Sequence, residues 1–396
     1  MNKFKCCVAL VAALMTGQAW SQSDPGVTSK EIRIGNIMPY SGPASAYGTI
    51  GKAIGAYFDK VNAEGGINGR TIKYLSLDDG YNPTKTLAQT RKLVEADDVF
   101  LIFQVLGTPT NTAIQKYLND KKVPQLFVAT GATKWSDPVN YPWTMGWQPN
   151  YQTESKIFVA HLLETNPKPK IAILYQNDDF GKDCLKGIID SLGERAKSMV
   201  VAEASYEVTD PSIDTQIVTL KASGADTIFI IATPKFAAQT IKKIAEIGWK
   251  PARYLNSVAN YVASVMIPAG AQNGIGIFTT FYLRDPGDPQ WANTKEYQDW
   301  LAWMKKYYPA GELNNNLNVY AYSVAQTLVQ TLKQAGNNLT RANVMKQAAN
   351  LDMSLPMLLP GIRIKTGPKD FSPIEQMQLA RWDGKEWVLF GKVYGD

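Results

Sequence analysis

Residues 170–206 read KIAILYQNDDFGKDCLKGIIDSLGERAKSMVVAEASY and contain one complete strand, helix and strand. The apolar run Lys170 to Tyr175 and the β-branched run Val200 to Tyr206 each predict a strand. Between them, Gly181 to Leu192 carries apolar residues at helical spacing, which predicts an amphipathic helix. Two strands connected through a helix are typical of a parallel sheet with a right-handed crossover.

The same alternation extends over most of the chain. Further strands are predicted at Ile32 to Met38, Thr71 to Leu77, Phe100 to Val105, Gln125 to Ala129, Thr227 to Ala232 and Ile275 to Phe281. Further helices are predicted at Ile50 to Val61, Thr84 to Ala96, Thr110 to Asp120, Ser155 to Glu164, Lys235 to Ile247, Trp291 to Tyr307, Asn318 to Ala335 and Thr340 to Asn350. Met377 to Phe390 predicts a hairpin with a two-residue turn at Asp383-Gly384. The class is therefore α/β, and the pause at Tyr141 to Asn150 indicates two similar lobes.

Residues 1–21 have the pattern of a secretory signal peptide. Two lysines precede an apolar stretch, Cys6 to Met15, and small residues around Ala19-Trp20-Ser21 mark a cleavage site. The apolar stretch is shorter than the roughly 20 residues of a transmembrane helix, and no later stretch is long enough. The mature protein is therefore expected to be exported and not embedded in a membrane.

The composition excludes several classes of protein. With 396 residues, 45% hydrophobic and 19% charged, the chain must bury a large core and cannot be disordered. Its formal charge is +6, but the basic residues never cluster beyond pairs. A nucleic-acid partner is not expected, because no basic stripe is available to follow a phosphate backbone.

Residues for catalysis and metal binding are scarce. His161 is the single histidine, and Cys184 is the single cysteine after the signal peptide. A histidine-based zinc site and an internal disulfide are thus excluded, and no nucleophile elbow, P-loop or dinucleotide turn is found. We expect no enzyme activity, no metal and no cofactor, and we interpret His161 as a helix residue with a local hydrogen bond. The pairs Asp78-Asp79 and Asp178-Asp179 are interpreted as loop caps, with a hydrolytic or cation-binding role as the alternative.

Polar turns mark where a ligand would bind. In open α/β sheets, ligands bind beyond the carboxyl ends of the strands, where helices begin and present free N–H groups. Gly107-Thr108-Pro109-Thr110 follows a predicted strand, with Thr108 as the expected N-cap, and Thr233-Pro234 repeats this arrangement. A ligand carboxylate above such a helix start is stabilised by about 0.3 to 2 kcal/mol. An anionic small ligand is therefore predicted.

Five short motifs carry a family resemblance. They are residues 34–43 (IGNIMPYSGP), 62–69 (NAEGGING), 78–79 (DD), 131–133 (GAT) and 179–182 (DFGK). Their succession resembles the branched-chain amino acid class of periplasmic substrate-binding proteins, the solute receptors of ABC importers, which also includes amide and aromatic-acid receptors. The resemblance covers nearly the whole mature chain in order and spacing.

The resemblance implies a type I periplasmic binding fold. Two Rossmann-like three-layer lobes with parallel sheets would be joined by three hinge strands, with the ligand between the lobes. We place lobe 1 at 29–144 and 280–357, and lobe 2 at 145–279 and 358–396. The implied partner is an ABC permease, which recognises the closed conformation of the receptor. The receptor is expected to be a monomer.

The resemblance also implies which residues line the ligand pocket. In the first lobe they are Tyr47, Gly107, Thr108, Ala132 and Thr133; in the second lobe they are Phe180, Thr233 and Ser257, with Asn256 as the alternative to Ser257. Amino-acid binders of the family place an acid near Ser257 to hold the ligand ammonium, and this chain has none there.

The sequence therefore predicts a receptor for a small carboxylate without an ammonium group, with an aromatic acid as the first candidate. Branched-chain amino acid or amide binding, a sensory receptor without transport, and an exported hydrolase that uses the aspartate pairs remain as alternatives.

Overall fold

The computed structural model describes residues 24–395, which form two α/β lobes. The predicted signal peptide, residues 1–21, lies outside the described residues. Each lobe is built on a central sheet that helices cover, so the predicted fold class and the alternation of strands and helices are confirmed.

The first sheet is entirely parallel. Its strands are β1 (Glu31–Met38), β2 (Thr71–Asp78), β3 (Leu101–Phe103), β4 (Gln125–Val128) and β5 (Thr144–Gly146). Their order across the sheet is β2-β1-β3-β4-β5. In β3 and β4 every residue is buried, because helices cover both faces of a parallel sheet.

The second sheet is mixed. Its strands are β6 (Ile171–Gln176), β7 (Val200–Tyr206), β8 (Thr227–Ile231), β9 (Ala252–Leu255), β10 (Phe278–Phe281), β13 (Met377–Trp382) and β14 (Trp387–Tyr394), and a separate small hairpin consists of β11 (Asp352–Met353) and β12 (Ile364–Lys365). The order is β14-β13-β10-β9-β8-β6-β7. The strands from β10 to β7 are parallel, whereas β13 pairs antiparallel with both β10 and β14.

Along the chain, the α-helices lie between the strands. They are α1 (Gly48–Ala63), α2 (Pro83–Arg91), α3 (Thr108–Asp120), α4 (Tyr151–Thr165), α5 (Asp179–Leu192), α6 (Ala196–Met199), α7 (Asp214–Ala222), α8 (Pro234–Glu246), α9 (Ile267–Ala269), α10 (Lys295–Tyr307), α11 (Leu317–Ala335) and α12 (Arg341–Ala348). The late helices α10 and α11 pack on α1 of the first lobe, where the rings of Tyr57, Trp303 and Tyr322 lie 4.8 to 6.1 Å apart.

The chain passes between the lobes three times. These crossings follow β5, follow β10 and precede β13, so each lobe is discontinuous in sequence. The predicted lobe boundaries after residues 144 and 279 fall inside β5 and β10. The division into 29–144 with 280–357 and 145–279 with 358–396 stays a prediction.

The short elements differ from the sequence prediction. β5, β9 and α7 were not among the predicted elements, because each is short and lacks a clear apolar repeat. The predicted two-residue turn at Asp383-Gly384 is wrong, since Trp382 pairs with Trp387 and leaves a four-residue loop. The Asp383 carboxylate stabilises that loop by accepting the N–H groups of Lys385 and Glu386.

Candidate ligand-binding site

A cavity lies between the two lobes at the carboxyl ends of their strands, and we call it the interlobe cavity. It encloses about 420 Å³ of empty space, part of it open to solvent. It is lined by Tyr47, Ile50, Tyr81, Leu106, Gly107, Thr108, Ala129, Gln148, Tyr151, Phe180, Thr233, Val258, Tyr261 and Tyr320. None of these side chains is charged, and five of them are tyrosines. The cavity therefore suits a largely apolar, flat ligand.

The start of α3 forms one corner of the cavity. α3 begins at Thr108, so Gly107 and not Thr108 is the N-cap, and the hydroxyl of Thr108 pairs with that of Thr130 at 2.7 Å. The N–H groups of Thr108 and Thr110 belong to the first turn and have no acceptor within the helix. Because such N–H groups and the helix dipole favour negative charge, this corner can accept a carboxylate.

Aromatic side chains from both lobes face the cavity. The Tyr47 hydroxyl donates to the carbonyl of Val258 across the cleft at 2.6 Å, and the Tyr47 ring packs edge-on against Tyr261 with centroids 6.0 Å apart. On the second lobe, Phe180 packs against Tyr151 at 5.2 Å. Burial raises the pKa of Tyr47 well above its usual value, so this phenol stays neutral.

Five predicted site residues line the interlobe cavity: Tyr47, Gly107, Thr108, Phe180 and Thr233. Thr233 is the N-cap of α8 as expected, but its hydroxyl donates to Gln176 at 3.1 Å.

The other predicted site residues lie elsewhere. Ala132 is buried in a hydrophobic cluster, and Thr133 is exposed and bonded to Asp183. Ser257 lines a neighbouring cavity, and the side-chain oxygen of Asn256 accepts the Ala232 N–H. None of these four side chains is part of the interlobe cavity lining.

Sequence reasoning missed several lining residues. Gln148, Tyr261 and Tyr320 come from segments far apart in the chain, and no local motif marks them. Tyr81 carries a weak signal, because it follows Asp78-Asp79 directly. Its backbone has φ of 64°, and its N–H donates to Asp79 at 2.8 Å, so the aspartate holds the tyrosine in a rare conformation.

A buried acid, Glu154, lies behind the cavity wall. It is 2% exposed in the first turn of α4, and its Oε1 accepts the N–H of Ser257 at 2.9 Å and the hydroxyl of Thr280. Burial raises the pKa of this carboxyl to about 7, and the hydrogen bonds from Thr280 and Ser257 oppose that rise. The sequence around Ser257 does not reveal this acid, because Glu154 is 103 residues away in the chain.

The capping aspartates and the histidine have structural roles. Asp78 accepts N–H groups from Tyr40, Ser41 and Gly80, and Asp178 caps α5. This arrangement supports the loop-capping interpretation of Asp78 and Asp178, whereas Asp179 contacts Thr112 and Lys134 of the other lobe. His161 lies in α4 as expected, but its hydrogen bond is to Tyr254 of β9 at 2.9 Å and is therefore not local.

Comparison with known proteins places the chain in a family. The sequence profile of a family described as "Periplasmic binding protein" matches residues 31–386. The chain belongs to this family. A curated relative, Leu/Ile/Val-binding protein homolog 1 of Brucella suis, is 25% identical over 340 residues, with 84% of each chain covered.

Solved structures share the fold of this periplasmic binding protein. One is a branched chain amino acid ABC transporter from Thermus thermophilus with bound valine, with a TM-score of 0.84, 13% identity and coverage of 93% of this chain and 98% of that one. Another is a solute binding protein of an ABC transporter from Rhodopseudomonas palustris in complex with 3,4-dihydroxy benzoic acid, with a TM-score of 0.77, 18% identity and coverage of 92% and 97%. The predicted family and the type I periplasmic binding fold are confirmed.

Other kinds of site are not found in the described residues. Between residues 24 and 395, no three or more His, Cys, Asp or Glu side chains are grouped as metal ligands would be. No helix in this range is both long and apolar enough to cross a bilayer.

This binding protein also has polar contacts between the lobes, which we call the interlobe polar cluster. Asp179 on α5 accepts the hydroxyl of Thr112 at 3.0 Å and pairs with Lys134 at 3.3 Å. Asp183, one turn later, accepts the N–H and the hydroxyl of Thr133 at 3.0 and 3.1 Å. The cluster stabilises the arrangement in which the two lobes touch.

Replacing Asp183 by alanine is expected to weaken ligand binding by about threefold to tenfold, because it removes two hydrogen bonds that connect the lobes. Calorimetric titration measures the affinity, and small-angle scattering measures the closure. Asp190→Ala is the matched control, since Asp190 also lies on α5 but pairs with Lys186 of the same helix. If the two variants bind the ligand with equal affinity, the interlobe polar cluster does not contribute to ligand binding.

Proposed function

We propose that this periplasmic binding protein captures a small carboxylate without an ammonium group, with an aromatic acid as the first candidate, and delivers it to the permease of an ABC importer. The observation that carries the proposal is the cavity lining. It combines the anion-favouring start of α3 with aromatic walls and contains no acidic side chain. The protein acts as a monomer and converts nothing.

An ammonium group in this cavity would lack a counter-charge. Burying an unpaired ammonium costs several kcal/mol, and Asn256 and Ser257 are neutral. Rings from opposite lobes, such as Tyr47 and Phe180, can instead contact an aromatic ligand, with about 0.5 to 1.5 kcal/mol gained per pair beyond area burial. The dihydroxybenzoic acid complex of the Rhodopseudomonas palustris protein supports this choice, because it is a carboxylate of that kind in the same fold.

Glu154 favours a second candidate, a branched-chain amino acid. Its carboxyl lies behind Ser257, near where the family's amino-acid binders carry an acid. The Thermus thermophilus structure with bound valine has the same fold. However, Oε1 of Glu154 already accepts two hydrogen bonds, and Glu154 is not among the lining residues. We therefore rank this candidate second.

A ligand screen separates the two candidates. We expect benzoates or cinnamates to bind saturably to refolded, ligand-free protein, and leucine, isoleucine and valine not to bind. Benzamide, a neutral analogue of benzoate, should bind at least about tenfold more weakly, because the start of α3 favours negative charge. Thermal shift and calorimetric titration measure this. Tight binding of valine, with no binding of any plain carboxylate, would replace the first candidate by the second.

A further inference from the structure

A second cavity lies beside the first, and we call it the hinge cavity. It encloses about 350 Å³ of empty space, part of it open to solvent, and Thr280 at the end of β10 is among its lining residues. Tyr261 and Tyr320 line both cavities. The two cavities are therefore neighbours that meet at these two side chains.

Most polar groups around the hinge cavity already have partners. The N–H of Ser257 and the hydroxyl of Thr280 both donate to Glu154. The Asn260 side chain donates to the carbonyl of Thr280 at 3.1 Å. The guanidinium of Arg284 is directed to Glu296, the hydroxyl of Thr294 and the carbonyl of Leu358, so it offers no free cation for a second carboxylate.

One acceptor in this lining has no partner. Asn316, which precedes α11, is 9% exposed, and its Nδ2 lies 3.4 Å from Oδ1 of Asn260. Its Oδ1 is buried and makes no hydrogen bond. An unsatisfied buried acceptor is destabilising, so a donor supplied by a ligand would recover free energy there.

We infer that the ligand has a hydrogen-bond donor, such as a hydroxyl, at the end remote from its carboxylate, and that this end binds Asn316 in the hinge cavity. The inference rests on the proposed function, because it takes the carboxylate to lie at the start of α3. The ligand class is thus a hydroxylated aromatic monocarboxylate, whose ring lies against Tyr261 and Tyr320.

Paired ligands that differ in one hydroxyl test this inference. Calorimetric titration compares 4-hydroxycinnamate with cinnamate and 4-hydroxybenzoate with benzoate. The wild-type protein should prefer the hydroxylated member of at least one pair by about tenfold or more, because only that member satisfies Asn316. Asn316→Leu keeps the shape and removes the acceptor, so the ratio of affinities should fall to about one.

The control is Asn314→Leu, because Asn314 is exposed two residues earlier in the chain. It should keep the wild-type ratio. If Asn316→Leu does not fold, Ser257→Leu fills the hinge cavity instead and should lower the affinity for cinnamates relative to benzoates.

The outcomes distinguish this inference from the function on which it rests. Equal binding of both members of each pair by the wild-type protein means that the hinge cavity holds water only, and overturns the inference while the carboxylate receptor stands. An unchanged preference in Asn316→Leu overturns it as well. If no aromatic carboxylate binds at all, the inference and the proposed function fail together.

Discussion

Replacing Gly107 by alanine is expected to weaken ligand binding by at least about 100-fold. Gly107 has φ of 99°, and an added Cβ would lie 2.4 Å from the ring of Tyr81 and 2.9 Å from the hydroxyl of Thr110. A non-glycine residue in this backbone region costs about 1 to 3 kcal/mol, and relaxation would displace the first turn of α3 together with Tyr81. Both belong to the site, so the N–H groups that receive the carboxylate would move.

Gly224→Ala separates this effect from simple backbone strain. Gly224 also has a positive φ, 74°, but no atom lies within 4 Å of an added Cβ, and it is remote from the cavity. We expect this control to lower the melting temperature and to leave the affinity unchanged. Calorimetric titration gives the affinities and thermal unfolding gives the stability. Wild-type affinity in a folded Gly107→Ala protein would mean that the start of α3 does not hold the ligand.

Replacing Glu154 by glutamine is expected to stabilise the protein at pH 8 relative to wild type, by up to about 3 kcal/mol more than at pH 5. Burial raises the pKa of Glu154 from 4.5 to about 7 in the folded state. Its protonated form is therefore favoured by folding. This contribution is fully present below the unfolded pKa near 4.5, and it is lost as the pH rises through 7. Glutamine, which is neutral throughout, should lack that loss.

Urea unfolding of both proteins at pH 5, 6, 7 and 8 measures this difference. The comparison must be made between variants, because Asp285 also has a pKa raised by burial, to about 6, and contributes to the wild-type pH dependence. Glu164→Gln is the matched control, since Glu164 lies on the same helix and is exposed. Parallel stability curves for wild type and Glu154→Gln would show that Glu154 titrates normally.

The sequence predicted those parts of the site that depend on a strand and the turn after it. Gly107 and Thr108 were identified because a Gly-Thr-Pro-Thr turn follows a strand, and Thr233 because it precedes a proline at a helix start. Thr133 also follows a predicted strand, Gln125 to Ala129, yet its hydroxyl bonds to Asp183 in the other lobe. A local rule finds the end of a strand, but it does not say whether the following side chain faces the cavity or the opposite lobe.

The α/β class, the two lobes and the approximate positions of most helices were determined by the sequence alone, because apolar spacing, caps and turns act between residues that are close in the chain. The composition of the site was decided only by the tertiary structure. Tyr47 and Val258 are 211 residues apart, and Glu154 and Ser257 are 103 apart. The packing of the two lobes brings these residues together and removes water from Glu154. Burial, and with it the raised pKa and the unpartnered acceptor of Asn316, is a property of that packing and not of any local motif.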